Sequence, residues 1–307
     1  MRGVYLIFIF VVISLVISGC ERRDIKTNLG GIDMQILEGT PPRNEIYEGQ
    51  AFSVNLKLIN NMPREVNDVS LCVYDTPSES IGGIPGKECK TINFFGAQEY
   101  EDEITPEISE VLIFPESGGY VYQGIHEGIK VTSIFTELEY STNSKSVIYP
   151  VCFKKGPEIE TDFFCELKES FSGSKINSDF APINVQRVEK NIVPLGQGSN
   201  QVVLDIFLVR DSQGEVVSEL YGGQNLMDVK VSVGKSGDYF ECAPSTQEGL
   251  IEFKEGTKKI TCINQMNLEE NAYQDSINID LMYGYKVVQP IRNIQLKEGI
   301  IRWEVYF

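Results

Sequence analysis

The 307-residue chain carries 44 acidic against 27 basic side chains, a net charge of −17. That balance disfavours nucleic acid, whose binding depends on Lys and Arg neutralising phosphates, and broad contact with an anionic bilayer surface; it favours a soluble, monomeric body. With a single histidine, His126, multi-histidine zinc and iron sites are excluded, and no metal or other cofactor is expected.

The chain opens with a secretory signal. Arg2 supplies a positive charge, Val4 to Val16 is apolar except for Ser14, and Ile17-Ser18-Gly19 leads into Cys20, followed at once by Glu21, Arg22, Arg23 and Asp24. A charged start, a short apolar run and small residues before a break mark a segment removed on export. The apolar run is shorter than the ~20 residues a spanning helix needs; an uncleaved single-pass transmembrane anchor is the second reading. Ile17-Ser18-Gly19-Cys20 resembles the lipobox of secreted lipoproteins. The resemblance implies a signal peptide over 1–19, cut before Cys20, and a diacylglyceryl group on the Cys20 thiol. Two acyl chains hold a protein at a membrane stably, whereas one holds it marginally. Residues 20–30 then form a tether at the extracellular face of the cell membrane.

Residues 31–155 read as a first β-domain. Phe52, Val54, Leu56 and Leu58 alternate with Ser53, Asn55, Lys57 and Ile59, the period of a strand with one buried face. Further strands are expected at Val69–Tyr74, around Cys89, at Phe135–Tyr140 and at 147–153, where Val147, Tyr149, Val151 and Phe153 share one face. Turn clusters separate them at Asn60–Pro63, Gly82–Gly86 and Ser117–Gly119. Tyr120 and Tyr122 alternate beside Gly118-Gly119 and Gly124, so both are expected to face one way as an exposed pair suited to protein or sugar recognition. Glu99, Glu101, Asp102, Glu103, Glu107 and Glu110 crowd one segment, but their spacing matches no EF-hand loop, and a solvated loop is expected. His126-Glu127 begins like H-E-x-x-H, yet Lys130 stands where the second His belongs.

Residues 156–180 form a linker, with Gly156-Pro157, the run Glu158–Asp162 and the serines of Ser170–Ser178. Asp162–Phe171 is the one place after the signal where a short helix is expected. Residues 181–307 repeat the order of the first half. Strands are expected at Val202–Val209, Asp228–Val233 and Ser276–Tyr283, and at Val287–Leu296, where Pro290 interrupts; Asp211–Gly214 supplies a turn. Asp68-Val69-Ser70-Leu71-Cys72-Val73 matches Asp228-Val229-Lys230-Val231-Ser232-Val233 in sense. Gly234-Lys235-Ser236 ends like a P-loop, but Val229 stands where the leading Gly is needed, and no G-x-S-x-G elbow occurs. Tyr221 and Asn225, in Tyr221-Gly222-Gly223-Gln224-Asn225, are candidates for a distal contact surface. Trp303, Tyr306 and Phe307 are expected to close a last strand.

Seven cysteines are an odd number for a secreted chain. Assigning Cys20 to lipid leaves Cys72, Cys89, Cys152, Cys165, Cys242 and Cys262, three close pairs in order. Local pairing is the economical choice in an oxidising exterior, though sequence leaves other pairings open. Leu56-Lys57-Leu58-Ile59-Asn60-Asn61 followed by Asn67-Asp68-Val69 resembles the CARDB and related Ig-like modules of archaeal and bacterial surface proteins. The second half departs from the pattern, with Val209-Arg210-Asp211 where the Asn belongs. The whole chain is similar to secreted lipoproteins of small-genome archaea. These resemblances imply an all-β protein with two Ig-like β-sandwich domains behind a lipoprotein anchor helix.

The function expected is a non-catalytic binding, adhesion or scaffolding module of the cell envelope. Its partners would be the membrane, through the anchor, and another envelope protein or a surface glycan. An accessory lipoprotein subunit of a transport or secretion complex is the alternative, and a surface hydrolase a more distant one.

Overall fold

The computed structural model describes residues 30–299, apart from 43–44, 77–80, 97, 101–102, 106–108, 126–129, 162, 197–198, 212, 219–222, 235–236 and 269. Cys20, His126, Tyr221, Trp303, Tyr306 and Phe307 lie outside the described residues, as do the expected signal and nearly all of the tether. Within the described residues the protein is all-β, with no α-helix. The helix expected over Asp162–Phe171 is not formed: Lys168–Ser172 is a strand paired with Arg187–Asn191. There Phe171 faces the core and Lys168 and Ser172 face water, the period of a strand.

The strands form sheets that bury their apolar faces against one another in one continuous core. Val54–Asn60 buries every second side chain and sits between Ile32–Ile36 and Ser109–Phe114. Ser199–Arg210 has the same alternation and sits between Ile183–Gly196 and Thr257–Asn267. Facing partners repeat in the same way. Val66–Asp75 lies between Glu88–Phe94 and Lys130–Lys154, and Leu226–Val233 lies between Ile251–Glu252 and Ala272–Lys297. Backbone closures repeat too: the Gly31 carbonyl accepts the Asn61 N–H at 3.0 Å, and the Pro182 carbonyl accepts the Asp211 N–H at 2.8 Å. The order seen along the sequence is therefore a repeat in space.

The two halves meet along a long antiparallel ribbon. Lys130–Lys154 and Ala272–Lys297 pair from Lys130↔Leu296 to Lys154↔Ala272. Sequence alone breaks each of these strands in two. The polar run Ser141–Lys145 does not end the first, because it pairs with Asp280–Gly284, and Ser144 and Ser146 are buried at 0% and 1% exposure. Pro290 does not end the second. Over 288–294 the described partner lies on one side only, and proline is tolerated where a strand has a free edge. Ala272–Lys297 begins beside Leu226–Val233 and ends against the first half, where Ile294 and Leu296 are buried and Leu296 pairs with Ile46. The 156–180 boundary thus divides the sequence, while one ten-stranded sheet runs through both halves.

One expected face is split. The register shifts between Ile148 and Val151, so Val147 and Tyr149 point to solvent while Val151 and Phe153 are buried. An irregularity of this kind sends the following side chains to the other face.

The six described cysteines pair locally: Cys72 with Cys89, Cys152 with Cys165, and Cys242 with Cys262, at Cα separations of 4.0, 5.3 and 3.9 Å. Cys72 and Cys89 sit opposite each other on neighbouring strands of the ten-stranded sheet, and Cys242 and Cys262 do so in the five-stranded sheet. The bridges therefore occupy different places in the two repeats, and neither of these two joins one sheet to another.

Candidate functional site

Alternation along Val66–Asp75 turns Val69, Leu71 and Val73 into the core and leaves Ser70 and Tyr74 part-exposed on the outer face. Along Lys130–Lys154 it buries Ile134, Thr136 and Leu138 and puts Phe135 and Glu137 outward. The register then sets Tyr74 opposite Phe135, and Phe135 opposite Pro290. The two rings stack with centroids 5.1 Å apart and planes 12° from parallel. On the other side of Tyr74, the Lys87 ammonium lies 5.9 Å from the ring centroid. Lys87, Tyr74, Phe135 and Pro290 thus form one row across the sheet.

Asp75, one residue on, turns toward the core side at the strand's end. Its Oδ2 accepts the Ile84 N–H at 3.0 Å and the Tyr122 hydroxyl at 2.7 Å. Burial pushes the Asp75 carboxyl above its ordinary value, and these two bonds oppose the shift without cancelling it. Gly82–Gly83 pairs with Val121 and Tyr122. Gly83 has φ +97, and a Cβ there would strike the Tyr122 ring and the Asp75 carboxylate, so only glycine lets the loop approach this closely. Tyr74, Asp75 and Gly82–Lys87 together line an open cavity of about 640 Å³.

Glu137, in the next row of the same face, is 5% exposed and accepts bonds from Lys87 at 2.7 Å and Lys286 at 3.0 Å. Burial pushes this carboxyl up, but the two lysine bonds outweigh it and hold the group below its ordinary value. Lys87, at the cavity, and Lys286 thus share one carboxylate.

Tyr120 and Tyr122 do face one way, but inward, which corrects the exposure expected of them. They are 5% and 0% exposed, and both rings pack on Phe52, at 5.6 and 5.2 Å. Their strand is flanked by Ala51–Phe52 and Gly82–Gly83, and its inner face is covered by the core. The Tyr120 hydroxyl donates to Glu88 at 2.6 Å and the Tyr122 hydroxyl to Asp75, so the pair supports the cavity from beneath. Burial pushes both hydroxyl pKa values up, and both donors keep their protons. Asn225 is a part-buried turn residue at φ 64; its N–H donates to Val216 at 3.1 Å and its carbonyl accepts the Phe253 N–H at 2.6 Å. Within the acidic segment, Gln98–Tyr100 pairs with Glu103–Thr105. Among the described residues no cluster of His, Cys, Asp and Glu forms a metal-binding group.

Tyr74 and Phe135 were missed as site residues, yet a signal existed. In Val69-Ser70-Leu71-Cys72-Val73-Tyr74 the tyrosine falls in the outward parity, not with the valines and leucine. An aromatic on the wet side of an alternating strand is the informative exception. A second cavity, of about 410 Å³, lies against Lys168–Ser170, Glu189–Asn191, Val203 and Asp205. Four of its charged residues are paired within the protein: Asp205 with Lys259 at 2.9 Å, Glu189 with Arg187 at 3.4 Å, and Lys190 with Glu169 at 2.5 Å. No protein-family model matches the chain, and no curated protein shows significant similarity to it.

Proposed function

We propose that the protein is a non-catalytic binding or scaffolding module of the cell envelope, attached through lipid at Cys20 and projecting two Ig-like, CARDB-like sandwich units of 31–155 and 181–307 from the extracellular face of the membrane. The single observation that carries the binding role is the Tyr74–Phe135 stack. It is left part-exposed beside an open cavity, on a face otherwise tied down by the Cys72–Cys89 bridge and the Lys87–Glu137–Lys286 bonds. Convergent polar groups around an aromatic wall are the usual make-up of a binding site. Asp75 and Glu137 are each engaged by fixed donors, an arrangement that suits holding a ligand rather than moving protons. The partner is an envelope protein or a surface glycan.

Two experiments test this. Replacing Cys20 by Ser should release the mature chain from the membrane fraction; a variant that is cleaved yet stays with the membrane would refute the lipid anchor. Cross-linking and capture from intact envelope should recover a partner with the natural chain and lose it with the Tyr74→Ala, Phe135→Ala variant. Unchanged capture would remove the groove from the binding role.

A further inference from the structure

We propose that the Cys72–Cys89 bridge is a thiol–disulfide exchange site, opened at Cys89 by a protein dithiol, and that the other two bridges are structural. This site goes beyond the binding role and does not depend on what the groove beside Tyr74 holds. Cys72 points outward between Ser70 and Tyr74, on the strand whose Val69, Leu71 and Val73 face the core. Cys89 stands opposite it on Glu88–Phe94, the last strand in the order of the ten-stranded sheet. Among the described residues that strand pairs on one side only. Cys89 is exposed there, while Cys72 is 3% exposed.

Accessibility separates the three bridges. Cys152 and Cys165 are 2% and 6% exposed, so an incoming protein thiol reaches neither. Cys242 is part-exposed, but its partner Cys262 is fully buried in the apolar core, where burial opposes an expelled thiolate. Both Cys242–Cys262 and Cys72–Cys89 join directly opposed residues of neighbouring strands, at Cα separations of 3.9 and 4.0 Å. Their surroundings therefore distinguish them, not their backbone spacing.

At Cys72 the surroundings suit a leaving thiolate. The Ser70 hydroxyl lies 3.6 Å from Cys72 Sγ, within hydrogen-bonding distance of sulfur. A hydrogen bond to the charged form favours it. Glu137, which faces Cys72 from the next strand, is engaged by Lys87 and Lys286, so the sulfur does not meet a bare carboxylate. The Lys87 ammonium is bonded to Glu137 and lies 5.9 Å from the Tyr74 ring centroid, which puts a cation between two neighbours of Cys72. Glu139, the next carboxylate along that strand's outer face, is set opposite Lys286. Exchange speeds up as the leaving thiol becomes more acidic and the attacked sulfur more accessible.

The incoming thiolate forms a bond to Cys89 Sγ. The Cys72–Cys89 bond breaks, and its electron pair leaves on Cys72 Sγ, which takes a proton from water. The second thiolate of the dithiol then attacks its partner sulfur in the mixed disulfide and releases Cys89. The dithiol is oxidised to a disulfide and the cystine is reduced to two thiols. The strands stay paired afterwards through Ser70↔Thr91, Leu71↔Lys90 and Val73↔Glu88.

The experiment uses the oxidised full chain carrying Cys20→Ser, treated with reduced thioredoxin and quenched with iodoacetamide at timed points. Peptide mapping reads which cysteines carry the label. Cys72 and Cys89 should be labelled about tenfold faster or more than the other four, and a thioredoxin lacking its second active-site cysteine should be trapped on Cys89. Ser70→Ala and Lys87→Met should each slow the opening about threefold or more, and the difference should vanish in denaturant. The chain alkylated at Cys72 and Cys89 alone should still unfold cooperatively. Equal rates for the three bridges overturn the proposal, as does faster opening of either of the others or trapping on Cys72. Unchanged rates in both variants overturn it too. Loss of cooperative unfolding after alkylation does the same, because the bridge would then be a structural staple.

Discussion

The hydroxyl of Tyr140 accepts the backbone N–H of Ile32 at 3.3 Å, 108 residues away in the chain. Tyr283 does the same for Ile183 at 3.0 Å, 100 residues away. Ile32 opens the first sheet strand of one repeat and Ile183 that of the other, so one contact is built twice. Both tyrosines are almost fully buried, and burial pushes both hydroxyl pKa values up, so each phenol keeps its proton. The tyrosines sit either side of the ribbon's centre, where Tyr140 pairs with Tyr285 and Thr142 with Tyr283.

Removing either hydroxyl strands a buried N–H. Tyr140→Phe and Tyr283→Phe should each cost about 1–3 kcal/mol in urea unfolding. The two costs should be similar, because the geometry is repeated. A cost near zero for one variant would show that its amide finds another acceptor.

Lys190 is fully buried, with Nζ bonded to Glu169 at 2.5 Å and also to the Cys152 carbonyl. Burial pushes its pKa down, and the Glu169 carboxylate only partly restores it. Lys190→Met should cost about 3–5 kcal/mol, because it leaves the nearly buried Glu169 carboxylate without its cation. Glu169→Ala should cost about 3–5 kcal/mol, since it abandons a buried cation. Thermal unfolding of the two single variants and the double variant checks this; the double variant should recover most of the loss.

The Glu137 carboxyl sits below its ordinary value in the folded chain, because the Lys87 and Lys286 bonds outweigh burial. A depressed carboxyl stabilises the fold above its unfolded value, near ~4.3, and the contribution is lost as pH falls through the lower folded value. Glu137→Gln should lower stability at neutral pH by about 1 kcal/mol and flatten the acid limb of the stability curve. Lys286→Met should cost more than Lys87→Met, because the Lys286 side chain is 24% exposed and that of Lys87 47%. Urea midpoints taken from neutral pH down to acid decide it.

The shared ribbon predicts how the halves behave when cut. A protease site placed between Glu166 and Leu167, outside the loop closed by the Cys152–Cys165 bridge, should give two fragments with no covalent link that stay associated and unfold in one transition. The reason is that Gly284–Lys297 covers the first half while Lys145–Lys154 pairs with the second. Fragments that separate and unfold independently would show that each unit closes its own core and that the ribbon is a late contact.

The sequence by itself determined the β character, because period-two alternation follows from strand geometry alone. It also carried the order of the repeat and made local cysteine pairing the economical choice, which the structure then decided. Tertiary structure decided what alternation leaves open. Alternation says which side chains share a face, and only packing says whether that face is covered. Tyr120 and Tyr122 were therefore legible as a pair but not as a buried one, while Tyr74 is part-exposed by virtue of the same parity that buries Val73. Strand length was likewise beyond the sequence. The polar residues Ser141–Lys145 and the ring of Pro290 read as breaks, and they become continuous strand because a partner more than a hundred residues away supplies the ladder. Register, which depends on bulges such as the one after Ile148, then decides which aromatic meets which, and that is how Tyr74 comes to lie on Phe135.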